Sequence, residues 1–178
     1  MDAPVADALT YLDRPSVRRL LPGVVKQMDL LASVYRAAAH GRVENPPKIG
    51  VHARPSTFVH AMPAYLRDQD VTAVKWVSAY PSNPARGLPY ISGLIVLNDS
   101  DTGLPVAVMD AAEITAVRTA VASGVSIRHL AHPGWQQVAI LGYGEQGRVH
   151  AKVVRTLNPD ATVRVYGGPR LTGPLPDV

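Results

Sequence analysis

The run Val138-Ala139-Ile140-Leu141-Gly142-Tyr143-Gly144-Glu145-Gln146-Gly147 passes from an apolar β-type segment through spaced glycines into a helical pattern. Few local folds satisfy that order. Gly142 is placed to make a tight turn, Gly144 to let a ligand approach the backbone with no Cβ in the way, and Gly147 to let the following helix pack closely on the strand. Backbone N–H groups at a helix start, together with the positive end of the helix dipole, suit an anionic group. The spacing predicts a grip on a dinucleotide pyrophosphate, with Gly142, Gly144, Glu145, Gln146 and Gly147 as its residues. A glycine-rich turn of some other α/β unit is the alternative that this string alone leaves open.

The segments that follow extend the unit. A helix is expected from about Glu145 to Leu157, Asn158-Pro159-Asp160 ends it, and Ala161-Thr162-Val163-Arg164-Val165-Tyr166 reads as a second strand. This β-turn-α-turn-β order is the opening half of a Rossmann unit. From Gly167 to Val178 half the residues are Gly or Pro, which predicts a poorly ordered tail over 167–178 rather than further sheet. His132-Pro133-Gly134-Trp135 forms a breaker cluster, so the expected division is a first domain over 1–132 and a partial Rossmann domain over 133–166.

Upstream, residues 1 to about 13 are expected to form a short strand or arm. Val17, Leu20, Leu21, Val24, Val25, Met28, Leu31 and Val34 recur at helical spacing, interrupted by Pro22-Gly23, which predicts a firm helix from about Gly23 to His40. Thr57 to Met62 suits a strand closed by Pro63, Val71 to Ser78 a strong strand, and 79–89 a loop with too many breakers for regular structure. Tyr90 to Asn98 and Leu104 to Met109 form a pair across a turn, so 71–109 reads as mainly antiparallel β. Asp110 and Glu113 have the form of a capping box opening a helix to about Ala131. The fold class is therefore α/β: an α+β first domain with a mainly antiparallel sheet, followed by the first β-α-β of a Rossmann fold.

Two cations stand out. Lys75 lies inside an apolar strand, where an ammonium must reach water, pair with an acid or face a cavity that uses it. Arg118, beside Thr119, sits among small apolar helix residues; its fork suits a carboxylate or a phosphate, and a solvated face is the other reading. His60, beside Phe58 and Met62, reads as a structural histidine.

Composition excludes several classes. The net charge of +4 is scattered with no basic stripe, so no nucleic-acid partner is expected. There is no cysteine, hence no disulfide or thiolate chemistry, and no metal-ligand spacing appears. No run approaches a membrane span. A soluble, cytoplasmic protein with no membrane partner is expected. The 18% charged content is low, which points to surface buried against a partner.

Taken in order, Lys75-Trp76-Val77, Pro81-Ser82-Asn83, Gly87-Leu88-Pro89, Gly93 through Asp99, Thr102-Gly103-Leu104-Pro105, Ile114-Thr115-Ala116-Val117-Arg118-Thr119-Ala120 and the glycine turn resemble the ornithine cyclodeaminase and μ-crystallin family over about residues 45–166. The resemblance implies an NAD- or NADP-dependent protein whose N-terminal domain binds an amino or imino acid and forms a homodimer. It implies hydride transfer at an α-amino carbon, as in cyclodeaminases, ketimine reductases and amino acid dehydrogenases. It assigns Lys75 to the substrate carboxylate, Arg118 to both that carboxylate and the cofactor, and Thr119 to the cofactor.

Lys48 falls where the cyclodeaminases carry a carboxylate-binding arginine; a lysine keeps the charge but loses the bidentate fork, which argues against ornithine as substrate. Tyr90 falls near a family threonine that touches the nicotinamide. Gly167 stands where NAD users place a ribose-reading acid, which removes a repulsion against a 2′-phosphate, and Arg170 would attract one. The family's catalytic aspartate belongs to a segment beyond this chain, so no catalytic residue is assigned and weak turnover by these 178 residues alone is expected. A noncatalytic family member acting as a dimerising or ligand-binding module is the rival expectation.

Overall fold

The computed structural model describes residues 9–167. Two compact units are present: one comprises residues up to Leu21 together with Val34–Ile114, the other Pro22–Ser33 together with Thr115 onward. This grouping assigns part of the first long helix, and nearly all of the helix after residue 110, to the second unit, and so differs from a division at 132/133.

The first unit is built on a seven-stranded sheet. In chain order its strands are β1 (Thr10–Leu12), β2 (Val43–Glu44), β3 (Ile49–Val51), β4 (Phe58–Leu66), β5 (Val71–Ala79), β6 (Ile91–Asn98) and β7 (Pro105–Asp110). They lie in the order β1-β7-β6-β5-β4-β2, with β3 also on β4. All pairs are antiparallel except β1 with β7, so the mainly antiparallel sheet read from the sequence is present. Val77, Ala79 and Ala107 are buried on one face. Tyr11, Ile49, Val51, Trp76 and Leu94 share the other face by register and are exposed.

Helix α1 (Arg14–Leu20) starts at Asp13, whose side chain accepts from the Ser16 N–H at 2.9 Å. Hydrogen bonding from Ser16, first from its side chain and then from its N–H, holds the Asp13 carboxyl below its ordinary range. Pro22-Gly23 separates α1 from α2 (Val24–Ala39), as the pattern predicts. The helix α3 (Ala112–Leu130) follows β7. Asp110 remains at the strand end and accepts from the Ala112 N–H at 2.9 Å. Glu113 does not close the expected capping box. It pairs with Arg18 at 2.8 Å and Arg14 at 3.0 Å, because two guanidiniums offer a carboxylate stronger, charge-assisted donors than one backbone amide does.

Two further expectations are corrected. Strand β4 does not stop at Pro63 but runs through it to Leu66. Pro63 lies between the stretch paired to β3 and the stretch paired to β2, where a missing N–H costs no ladder bond on that side. Within 79–89, Asn83–Arg86 forms a 3-10 turn rather than irregular loop. Pro84 falls in its first turn and Gly87, at φ 70°, closes it.

In the second unit, β8 (Gln137–Leu141) and β9 (Thr162–Tyr166) pair in parallel, joined through α4 (Glu145–Leu157). Met28 and Ala32 of α2, Ala120, Val121 and Val125 of α3, and Val153 of α4 form its buried core. A Cβ on Gly124 would collide with Val153 and Met28, so the small residue sets the approach of those helices. The expected Gly/Pro tail lies outside the described residues from 168 onward, as does Arg170. Among the described residues no helix is long and apolar enough to cross a membrane, and no three His, Cys, Asp or Glu side chains cluster as metal ligands.

Candidate functional site

The glycine turn has the geometry that its spacing demands. Gly142 sits at φ 92°, in a region that side chains rarely enter, and its N–H donates to the Tyr166 carbonyl at 2.6 Å. The turn therefore ties the ends of β8 and β9 together. Gly147 is buried, and a Cβ there would land on the Gly142 carbonyl. Gly144 is the N-cap of α4 with no side-chain cap, and a Cβ there would meet no protein atom within 4 Å.

The first turn of a thirteen-residue helix thus carries no side-chain cap and begins at a residue facing free space, the place where helix-start N–H groups receive an anion. A small, preorganised, electropositive cradle of this kind fits a pyrophosphate. The exposed Glu145 and Gln146 stand at its rim. Arg148 lies over the Tyr143 ring at 5.7 Å, which adds positive charge one turn into the helix.

Helix α3 carries Arg118 and Thr119. Arg118 is exposed and makes no hydrogen bond or ion pair with a described residue; the anionic partner expected for it is not supplied by those residues. The Thr119 hydroxyl donates to the Thr115 carbonyl at 2.8 Å, leaving its lone pairs available as acceptors. Sequence reasoning missed Thr115 itself, whose buried hydroxyl has no partner. The signal was available: Thr115 and Thr119 lie four apart on one helix face, next to Arg118.

In the first unit, register gathers the other candidates. Lys75 of β5 pairs with Met62 of β4 and Ile95 of β6, and is half-buried. Lys48, one residue before the Ile49↔Ala61 pair, falls opposite Met62 on the same face. Two strand spacings, about 10 Å, separate it from Lys75. His60 shares this face, opposite Gly50 and Val77.

The His60 ring stacks on Phe58 at 4.1 Å and meets His52 edge-on at 6.4 Å. Burial, then the nearby Lys48 charge, then His52 hold His60 below its ordinary value of 6.5. No Asp or Glu occupies the register rows of this face on β4 to β7. The face is a shallow apolar surface bearing two ammonium groups and an easily neutral imidazole, suited to a carboxylate. Tyr90, half-exposed just before β6, is not drawn into that cluster by any pairing.

Comparison with known proteins agrees with this geometry. The model of the ornithine cyclodeaminase/mu-crystallin family matches residues 14–170. The nodulation efficiency protein NfeD of Rhizobium meliloti is 41% identical over 155 residues, covering 87% of this chain and 48% of that protein. Among solved structures, an archaeal alanine dehydrogenase dimer with bound NAD superposes with a TM-score of 0.83 at 30% identity, over 89% of this chain and 48% of that one. The Thermococcus litoralis Δ(1)-pyrroline-2-carboxylate reductase in complex with NADH and L-proline gives 0.83 at 30% identity, over 91% and 50%. The chain spans about half the length of these relatives. A match of this extent, with the lysine face and the glycine turn both formed, shows that the chain belongs to the ornithine cyclodeaminase/mu-crystallin family.

Proposed function

We propose that this chain serves an NAD(P)-dependent oxidoreductase of amino or imino acids, with hydride transfer at the α-amino carbon. The observation that carries the reading is the turn itself: Gly144 open to solvent at the start of α4, Gly142 at positive φ, and Gly147 closed against it. Supporting it, relatives of known structure hold NAD, or NADH with L-proline. The nicotinamide, when bound, accepts or donates the hydride.

The chain's own residues bind and orient. Gly142, Gly144, Glu145, Gln146 and Gly147 take the pyrophosphate, and Arg118 and Thr119 meet the cofactor. On the first unit's sheet, Lys48 and Lys75 hold the substrate carboxylate. Residues 1–132 then provide substrate binding and dimerisation together with the Arg118 and Thr119 contacts, and 133–166 provide the Rossmann part of the cofactor site. Two point-charge lysines rather than an arginine fork allow the carboxylate some freedom of tilt, and register rows of this face on β4 to β7 without an acid disfavour a second ammonium in the substrate. A small monoamino or cyclic imino acid fits better than ornithine.

The apolar sheet face of Tyr11, Ile49, Val51, Trp76 and Leu94 is the surface through which a second copy binds, giving a homodimer. A chain without cysteine suits the cytoplasm. Fluorescence titration with NADH and NADPH tests the cofactor reading: saturable micromolar binding is expected, and no binding by a folded chain refutes it. Light scattering of the parent and of Trp76→Glu tests the dimer, which the substitution is expected to dissociate.

A further inference from the structure

A second cluster of cationic and polar side chains lies in the first unit, at the end of the sheet where β4 begins and β5 ends. A pocket of about 410 Å³ opens there between the 52–57 loop and the 80–86 segment. It is lined by Arg54, Ser56, Thr57, Ser82, Asn83 and Arg86 among others, with no acidic residue in its wall. Ala79, beside the pocket, is four residues past Lys75, so the site stands about 13 Å along β5 from the lysine row.

Both walls are preorganised. Thr57 is nearly fully buried; its hydroxyl donates to the Arg54 carbonyl at 2.8 Å and accepts from the Arg54 N–H at 2.9 Å, and the Thr57 carbonyl meets His52 Nδ1 at 2.8 Å. Between them Ser56 is held at φ 59°, a left-handed conformation unusual for a residue with a side chain, at the pocket's edge. On the opposite wall Asn83 donates to the Pro89 carbonyl at 3.1 Å and accepts, through its backbone carbonyl, from Leu88.

Neither arginine has a described carboxylate partner. Arg54 donates one N–H to the adjacent Ala53 carbonyl at 2.7 Å, and Arg86 makes no ion pair with a described residue. The described arginine–carboxylate pairs, Arg14 and Arg18 with Glu113, Arg42 with Asp68, Arg67 with Glu44 and Arg128 with Asp29, all lie outside this pocket, whereas two guanidiniums line one cavity without an acid.

We propose that this pocket binds a small organic dianion, phosphorylated or polycarboxylic, at a site separate from the lysine face. Two guanidinium forks from facing walls match two anionic oxygens, and the Ser56 and Ser82 hydroxyls supply further donors. The volume admits a small metabolite rather than a bare ion alone.

The test is an amide-shift NMR titration of the whole chain with inorganic phosphate and, separately, with citrate. Saturable shifts at Ser56, Thr57, Ser82 and Asn83 are expected. They should weaken at least tenfold in Arg54→Gln/Arg86→Gln and recover in part in Arg54→Lys/Arg86→Lys. Tighter binding of phosphate assigns a phosphorylated ligand, and tighter binding of citrate a polycarboxylic one. NADH binding should be unchanged in the glutamine variant, which separates this site from the glycine turn. Shifts confined to residues 142–147, shifts that do not saturate, or shifts unaltered in the glutamine variant would overturn the proposal.

Discussion

Gly144 and Gly147 stand three residues apart in one turn, and their substitution should have opposite signatures. A Cβ at Gly147 would land on the Gly142 carbonyl, and backbone cannot rotate away as a side chain can. Gly147→Ala therefore forces α4 away from β8, at about 1–3 kcal/mol for overpacking, or roughly 2–12 °C in Tm for a chain of this size. At Gly144 a Cβ meets no protein atom within 4 Å. Serine is also at least as good an N-cap as glycine, by a few tenths of a kcal/mol.

Gly144→Ser is thus expected to leave Tm unchanged or slightly raised. On the proposed cofactor reading, the new side chain nevertheless occupies the space through which a pyrophosphate would reach the amides. Losing one charge-assisted bond there, about 1.5–3 kcal/mol, weakens NADH binding roughly tenfold to hundredfold. Scanning fluorimetry and NADH fluorescence titration on the same preparations read both quantities. If Gly144→Ser keeps the parent's NADH affinity, or lowers Tm as far as Gly147→Ala does, the assignment of separate roles to the two glycines is refuted.

Three further outcomes follow from the ion pairs and the sheet face. Glu113→Gln removes the partner of Arg18 and Arg14, whose side chains are 63% and 41% exposed; after solvent screening a loss of about 1–2 kcal/mol in urea denaturation is expected. The hydrogen bond from Arg18, then that from Arg14, hold the folded Glu113 carboxyl below its ordinary 4.5. Its stabilisation is therefore complete above that value and lost as pH falls through the lowered folded value, a slope that Glu113→Gln should flatten. His60 should titrate below 6.5 by NMR, so the folded chain loses stability as pH drops from 6.5 through that lower midpoint; Lys48→Met should raise the midpoint. On the proposed assignment of Lys75 to the substrate carboxylate, Lys75→Gln should weaken binding of a cyclic amino acid probe, L-proline, about tenfold, as expected for one charge-assisted bond of ~1.5 kcal/mol, while leaving NADH affinity unchanged.

What could be read from the chain was local. The glycine turn, the Pro22-Gly23 break and the strand over 71–78 each depend on residues within a few positions of one another, and each is present, the strand one residue longer than read. What could not be read depends on partners far away in sequence. Glu113 looks like a capping residue until Arg14 and Arg18, nearly a hundred positions earlier, are brought beside it. Pro63 looks like a strand end until β2 and β3 are seen to leave its edge unpaired.

The same holds for the site. Lys48, His60 and Lys75 are unremarkable singly, and a lone histidine between Phe58 and Met62 reads as structural. Register makes them one surface, since Gly50, His60 and Val77 fall in one row and Lys48, Met62 and Lys75 in the next. A one-residue slip in β4 would send His60 and Met62 to the opposite face and leave the two lysines with a different floor between them. The chemistry of that face is thus a property of strand pairing, and hence of the whole sheet, rather than of any motif.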